Sequence, residues 1–160
     1  MPLRGAPRLV AILLAGGLLT AGHARATTIE AQQMVADRKL HRARFHGDVE
    51  LISRQLHIRS DTLTAYYRDR LGGRLDRAEA SGHVRLRREK MRGRADHATF
   101  DEGRQLLILS GNAELTEGGR LIRGGRIEHR LDSGESRVTE GEAGERVHLH
   151  IDDDRRPLRP

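Results

Sequence analysis

A glycine, a polar residue, a small apolar residue, any residue and then leucine occur in that order three times. The copies are Gly47-Asp48-Val49-Glu50-Leu51, Gly82-His83-Val84-Arg85-Leu86 and Gly111-Asn112-Ala113-Glu114-Leu115. A second phrase follows each of them, around Asp61, Asp96 and Gly125, and each of these residues lies 14 positions beyond its glycine. Ile29 to Met34 repeats the spacing of Ile58 to Leu63, a half copy ahead of the first glycine. A two-part phrase that recurs with its internal offset fixed signals one supersecondary unit, stacked on itself because a single copy cannot bury its own apolar face.

The unit is a pair of strands. Phe45, Gly47, Val49 and Leu51 alternate with His46, Asp48 and Glu50, and Val84 and Leu86 alternate with His83, Arg85 and Arg87. Leu107, Leu109, Gly111, Ala113 and Leu115 likewise share one face of the third copy. Period-two alternation marks a strand with one face buried. Turns at Leu71-Gly72-Gly73 and Glu117-Gly118-Gly119 join the strands. Glycine inside a strand marks a bend or bulge instead, so bends recurring at residues 47, 82 and 111 predict a sheet folded along a line. Ser136 to Thr139 and residues 147–151 read as two further strands, while residues 132–145 are mostly polar and turn-rich. The fold class expected is all-β, with stacked antiparallel strands forming a V-shaped open trough. The apolar share of 36% and only four aromatics, Phe45, Tyr66, Tyr67 and Phe100, suit one folded sheet better than a thick two-sheet core.

The ends differ from the repeat. Arg4 and Arg8 precede a short apolar run at residues 9–19, and Ala24-Arg25-Ala26 offers small residues around a cut. That is the layout of a secretory signal peptide over residues 1–26, cleaved after Ala26, and the run is shorter than the roughly 20 residues a spanning helix needs. The main domain is then residues 27–151, with 152–160 a charged, proline-ended tail. Cleavage removes Arg4, Arg8 and Arg25 and no acid, so half of the formal charge of +6 goes with the signal. There is no cysteine, and stability rests on packing and hydrogen bonds.

Seven phrases in order now resemble a known family: Ile-x-Ala-x-x-Met (29–34), Phe-x-Gly-Asp-Val-x-Leu (45–51), Ile-x-Ser-Asp-x-Leu-x-x-Tyr (58–66), Ala-x-Gly-x-Val (80–84), Ala-Asp-x-Ala-x-Phe (95–100), Leu-x-Gly-Asn-Ala-x-Leu (109–115) and Ile-x-Gly-x-x-Ile (122–127). They resemble the LptA, or OstA-like, family of periplasmic lipopolysaccharide transport. Gly125 departs from the pattern, which has Asp there. The resemblance implies an OstA-like β-jelly roll in the periplasm that bridges an inner-membrane complex to an outer-membrane one. It implies lipopolysaccharide as cargo, held by its lipid A acyl chains, and LptC-like and LptD-like proteins as partners.

The lining for such chains is the apolar strand face: Phe45, Val49, Leu51, Ile58, Leu63, Val84, Leu86, Phe100, Leu107, Leu109, Leu115, Ile122 and Ile127. The same alternation describes the core of any β domain. Strands near Ile29 and Leu149 are candidate edges, where unpaired backbone groups accept another strand and head-to-tail self-association becomes open. Catalysis is not expected, since Asp61 and Asp96 recur where a turn or bulge needs a hydrogen bond. No metal or other cofactor is expected: His148 and His150 fall short of the about four ligands a closed site takes. Arg85, Arg87, Arg88, Arg92 and Arg94 lack the stacking aromatics that single-stranded nucleic acid wants, so nucleic acid is not expected. They fit anionic sugar and phosphate groups at the rim, or a solvated face. A membrane-anchored LptC-like component and a β-solenoid enzyme acting on envelope polysaccharide are the alternatives.

Overall fold

The computed structural model describes residues 27–139 and 147–151. The expected signal (1–26), the tail (152–160) and residues 140–146, which include the end of the polar stretch, lie outside the described residues. Ten strands make up the described chain: β1 (Thr27–Glu30), β2 (Gln33–Asp37), β3 (Arg42–Ser53), β4 (Leu56–Tyr67), β5 (Leu75–Arg88), β6 (Met91–Asp101), β7 (Leu106–Glu117), β8 (Arg120–Arg130), β9 (Ser136–Thr139) and β10 (His148–Ile151). They form one antiparallel sheet in the order β1-β3-β4-β5-β6-β7-β8-β10, with β2 also on β3 and β9 also on β8. The all-β, unclosed architecture expected from the repeat is present, and the strands near Ile29 and Leu149 are its two edges.

The repeated glycines crease this sheet. Gly47, Gly82 and Gly111 have φ of 78°, 81° and 72°, and the residue after each, Asp48, His83 or Asn112, is also left-handed. The ladder shifts register at each pair: between His46 and Val49, Ser81 and Val84, and Ser110 and Ala113. At each crease two residues on β3, β5 or β7 stand opposite one on the following strand, and Phe45 and Val49, Ala80 and Val84, and Leu109 and Ala113 keep the same inward face. On β4 and β6 the inward set changes parity, from Ile58 and Ser60 to Leu63 and Ala65, and from Ala95 to Ala98. Such a slip would turn a flat strand inside out; here the bend absorbs it. The half copy at the N-terminus follows the rule. Its strand breaks into β1 and β2 at Ala31 and Gln32, and the Gln32 amide donates to the Gly47 carbonyl at 3.1 Å.

The crease divides the sheet into two wings. Residues 43–45, 63–65, 78–80, 98–100, 107–109 and 127–129 belong to the first, and residues 49–53, 56–60, 84–86, 91–95, 113–115 and 120–123 to the second. Their inner faces meet, and the buried core sits between them.

Candidate functional site

Twelve of the thirteen sequence-predicted lining residues are buried between the wings. Leu51, Leu107, Leu109 and Ile127 are 0% exposed, and Leu86, the least covered, is 4%. Ile122, near the β10 edge, is half-buried against the same cluster. At such exposures the side chains pack against one another, and most of the space between the wings is taken up by the protein's own residues. Alanines are among them, at positions 43, 65, 78, 80, 98 and 113. The sequence-predicted lining, drawn from large apolar residues, leaves them out, although each holds an inward position on its strand.

The open side of the fold, opposite the crease, is where the strand-joining turns of the two wings meet. Polar contacts close it. Arg54, in the β3–β4 turn, donates through Nη1 to Gln105 Oε1 at 3.0 Å and pairs through Nη2 with Glu102 Oε1 at 3.1 Å. The Ser53 hydroxyl donates to Glu102 Oε2 at 3.3 Å. Arg88, at the end of β5, donates to the Leu131 carbonyl beyond β8 at 2.7 Å. Strand β3 is three places from β6 in the sheet, and β5 three places from β8. These contacts therefore cross from wing to wing and act as clasps on the seam. Beside the Arg88 clasp a cleft of about 270 Å³ reaches Met91, His129 and Leu131. Burial holds the His129 imidazole below its ordinary value of 6.5, with Glu117 pulling the other way, and its Nδ1 is 2.8 Å from Ser136 Oγ.

Asp61 and Asp96 lie on the outside of the crease. Asp61 Oδ2 is 2.8 Å from His83 Nδ1, and Asp96 Oδ2 accepts from Asn112 Nδ2 at 2.9 Å. Each carboxylate packs over the glycine of the next strand, Gly82 or Gly111, where a Cβ would collide with it. Their partners are the side chains of the residues that follow those glycines at the bulge. Among the described residues no group of three or more His, Asp or Glu is placed to hold a metal.

The outer face of the second wing carries a groove of about 680 Å³ with Arg59, Arg85, Arg87, Arg92 and Arg94 in its wall. Arg88, grouped with them in sequence, is turned to the seam instead. Arg59 was missed by sequence reading because it joins the group only through its register opposite Arg85.

The sequence model of the family described as the LptA/(LptD N-terminal domain) LPS transport protein matches residues 28–135. No curated protein matches the chain. Among solved structures, LptH from Pseudomonas aeruginosa, the LptA homologous periplasmic component of the conserved lipopolysaccharide transport device, shares the fold. The TM-score is 0.72 at 12% identity, covering 79% of this chain and 95% of that one.

Proposed function

We propose that this chain, which belongs to the LptA/(LptD N-terminal domain) family of lipopolysaccharide transport proteins, carries the acyl chains of lipopolysaccharide between its two wings and performs no chemistry on them. It works in the periplasm, exported by residues 1–26. It links an LptC-like protein of the inner membrane to an LptD-like protein of the outer membrane through the outer strands of the sheet, β1–β2 at one end and β9–β10 at the other. The observation that carries this reading is an apolar interior between two wings that, among the described residues, no backbone ladder closes, fastened at the seam by a few side chains.

The energetics favour opening. An acyl chain in water costs about 0.8 kcal/mol per methylene, so a chain of a dozen carbons outweighs any single contact on the seam. Parting the wings exchanges side chain–side chain contact for side chain–acyl contact, which leaves the buried apolar area nearly unchanged. What is lost is the clasps: about 0–1 kcal/mol for a partly exposed ion pair such as Arg54–Glu102, and about 1.5–3 kcal/mol for a hydrogen bond from a charged group such as Arg88. The walls are mostly leucine, isoleucine, valine, alanine and phenylalanine, and the buried Ser60 and His129 are already engaged with Thr62 and Ser136, so chains can slide along the crease.

Spin labels on Lys90, in the β5–β6 turn, and Ser133, in the turn after β8, sit on opposite lips near the Arg88 clasp. Their separation should widen when lipopolysaccharide is added. A distance distribution that does not move under saturating lipid contradicts loading between the wings.

A further inference from the structure

Two cross-strand rows build the groove on the outer face of the second wing. One runs Glu50, Arg59, Arg85, Arg94 and Glu114 from β3 to β7, with Arg123 of β8 just beyond the groove's end, and the other runs His57, Arg87, Arg92 and Thr116 from β4 to β7. The acids are already engaged. Glu50 takes Arg59 at 3.1 Å, and Glu114 takes both Arg94 and Arg123 at 2.7 Å. These partners hold both carboxyls below their ordinary value. Among the described residues no acid makes a close ion pair with Arg85, Arg87 or Arg92, although Glu50 feels the charge of Arg87, and all three arginines are exposed.

The arrangement works against folding. Arg59 stands directly opposite Arg85, Arg85 opposite Arg94, and Arg87 opposite Arg92. Like charges directly opposed across strands are destabilising, and a face that served only solubility would intersperse the signs. Five arginines against two glutamates in one groove of about 680 Å³ leave a positive excess that only an anion would satisfy. Guanidinium forks match phosphate oxygens two at a time.

Position selects the anion. Arg87 and Arg92 flank the β5–β6 turn at residues 89–90, on the lip of the second wing. At about 3.3 Å per strand residue they lie within roughly 10 Å of the seam. We infer that the groove binds the phosphorylated headgroup of the lipid whose acyl chains lie between the wings, folded over this lip, an inference that rests on the transport reading above. The interior then holds the chains by their apolar surface, and the outer face of one wing reads the charge that distinguishes this lipid from other amphiphiles.

The test compares lipid A with its enzymatically dephosphorylated form, in the same detergent, on three proteins: the unmodified chain, a triple variant R85Q/R87Q/R92Q, and a control R38Q/R44Q/R70Q that removes equal charge outside the groove. The unmodified chain should bind lipid A about tenfold more tightly than the dephosphorylated form, a preference that shrinks at high salt. The groove variant should lose that preference, keep its affinity for the dephosphorylated lipid, and melt no lower than the unmodified chain because like-charge opposition is relieved. The control should keep the preference. No preference in the unmodified chain, a preference that survives in the groove variant, or an equal loss in the control overturns the headgroup site while leaving acyl transport standing. Failure of both lipids to bind the unmodified chain removes the transport reading and the headgroup site together.

Discussion

Replacing Gly111 by alanine strikes the crease at one atom. Gly111 has φ of +72°, and a left-handed conformation costs a residue with a Cβ about 1–2 kcal/mol. The added methyl would also lie 2.6 Å from Asp96 Oδ2 and 2.9 Å from Asp96 Cβ. The carboxylate end can swing away, giving up its 2.9 Å bond from Asn112; the Cβ cannot move without the strand. Overpacking of this kind costs about 1–3 kcal/mol, for a total of roughly 2–5 kcal/mol. Gly118 separates the two contributions, because its φ is +55° and nothing lies within 4 Å of a Cβ there. Gly118→Ala should therefore show the conformational cost alone, about 1–2 kcal/mol. Adding Asp96→Gly to Gly111→Ala should recover most of the overpacking cost. Urea unfolding with an unchanged m-value measures all three. If Gly111→Ala costs no more than Gly118→Ala, or if Asp96→Gly brings no recovery, the crease is not built by carboxylates packed over bare glycines.

Three further outcomes are expected. Arg54→Glu sets two negative charges against each other across the seam. It should lower stability by about 1 kcal/mol and speed uptake of fluorescent lipopolysaccharide in a mixing experiment; an unchanged uptake rate argues against the seam as the entrance. His129 has a folded pKa depressed by burial, so the unfolded chain takes up its proton first as pH falls. Its stabilisation is complete above pH 6.5 and is lost progressively as pH drops toward the depressed folded value. His129→Gln should flatten urea-derived stability between pH 7.5 and 5.5 relative to the unmodified chain, and parallel profiles would show that the buried imidazole does not drive the change. Leu149, on edge strand β10 and 62% exposed, should tolerate Leu149→Asp within about 0.5 kcal/mol while end-to-end association weakens in sedimentation. Association as strong as before would move the docking edge elsewhere.

Strand alternation was legible because burial of one face forces period two, and the glycine repeat announced the crease because positive φ is inexpensive only there. Even the half copy at Ile29 to Met34 found its place, with Gln32 packed against Gly47 as Asp61 packs against Gly82. Contacts across the fold were not legible. Arg54 with Glu102, and Arg88 with Leu131, join strands three places apart on opposite wings, and no local period encodes such a meeting. For the same reason alternation placed Phe100 and Leu109 on an apolar face without showing that the facing wing fills the space before them. The arginine groove was half visible. Arg85, Arg87, Arg92 and Arg94 belong to one hairpin, and their spacing brings them together. Arg59 and the two restraining glutamates enter only through register with β4, β3 and β7.

Phe100 and Thr99 are consecutive residues of β6 that face opposite ways, Phe100 2% exposed between the wings and Thr99 on the outer surface of the first wing, away from the arginine groove. A photo-crosslinking residue at each position, irradiated in cells that make lipopolysaccharide, asks directly whether acyl chains enter the fold. Capture at position 100 with little or none at position 99 is the predicted result. Equal capture at both, or capture at 99 alone, would mean that the lipid travels along the outside of the sheet and that the space between the wings is only a core.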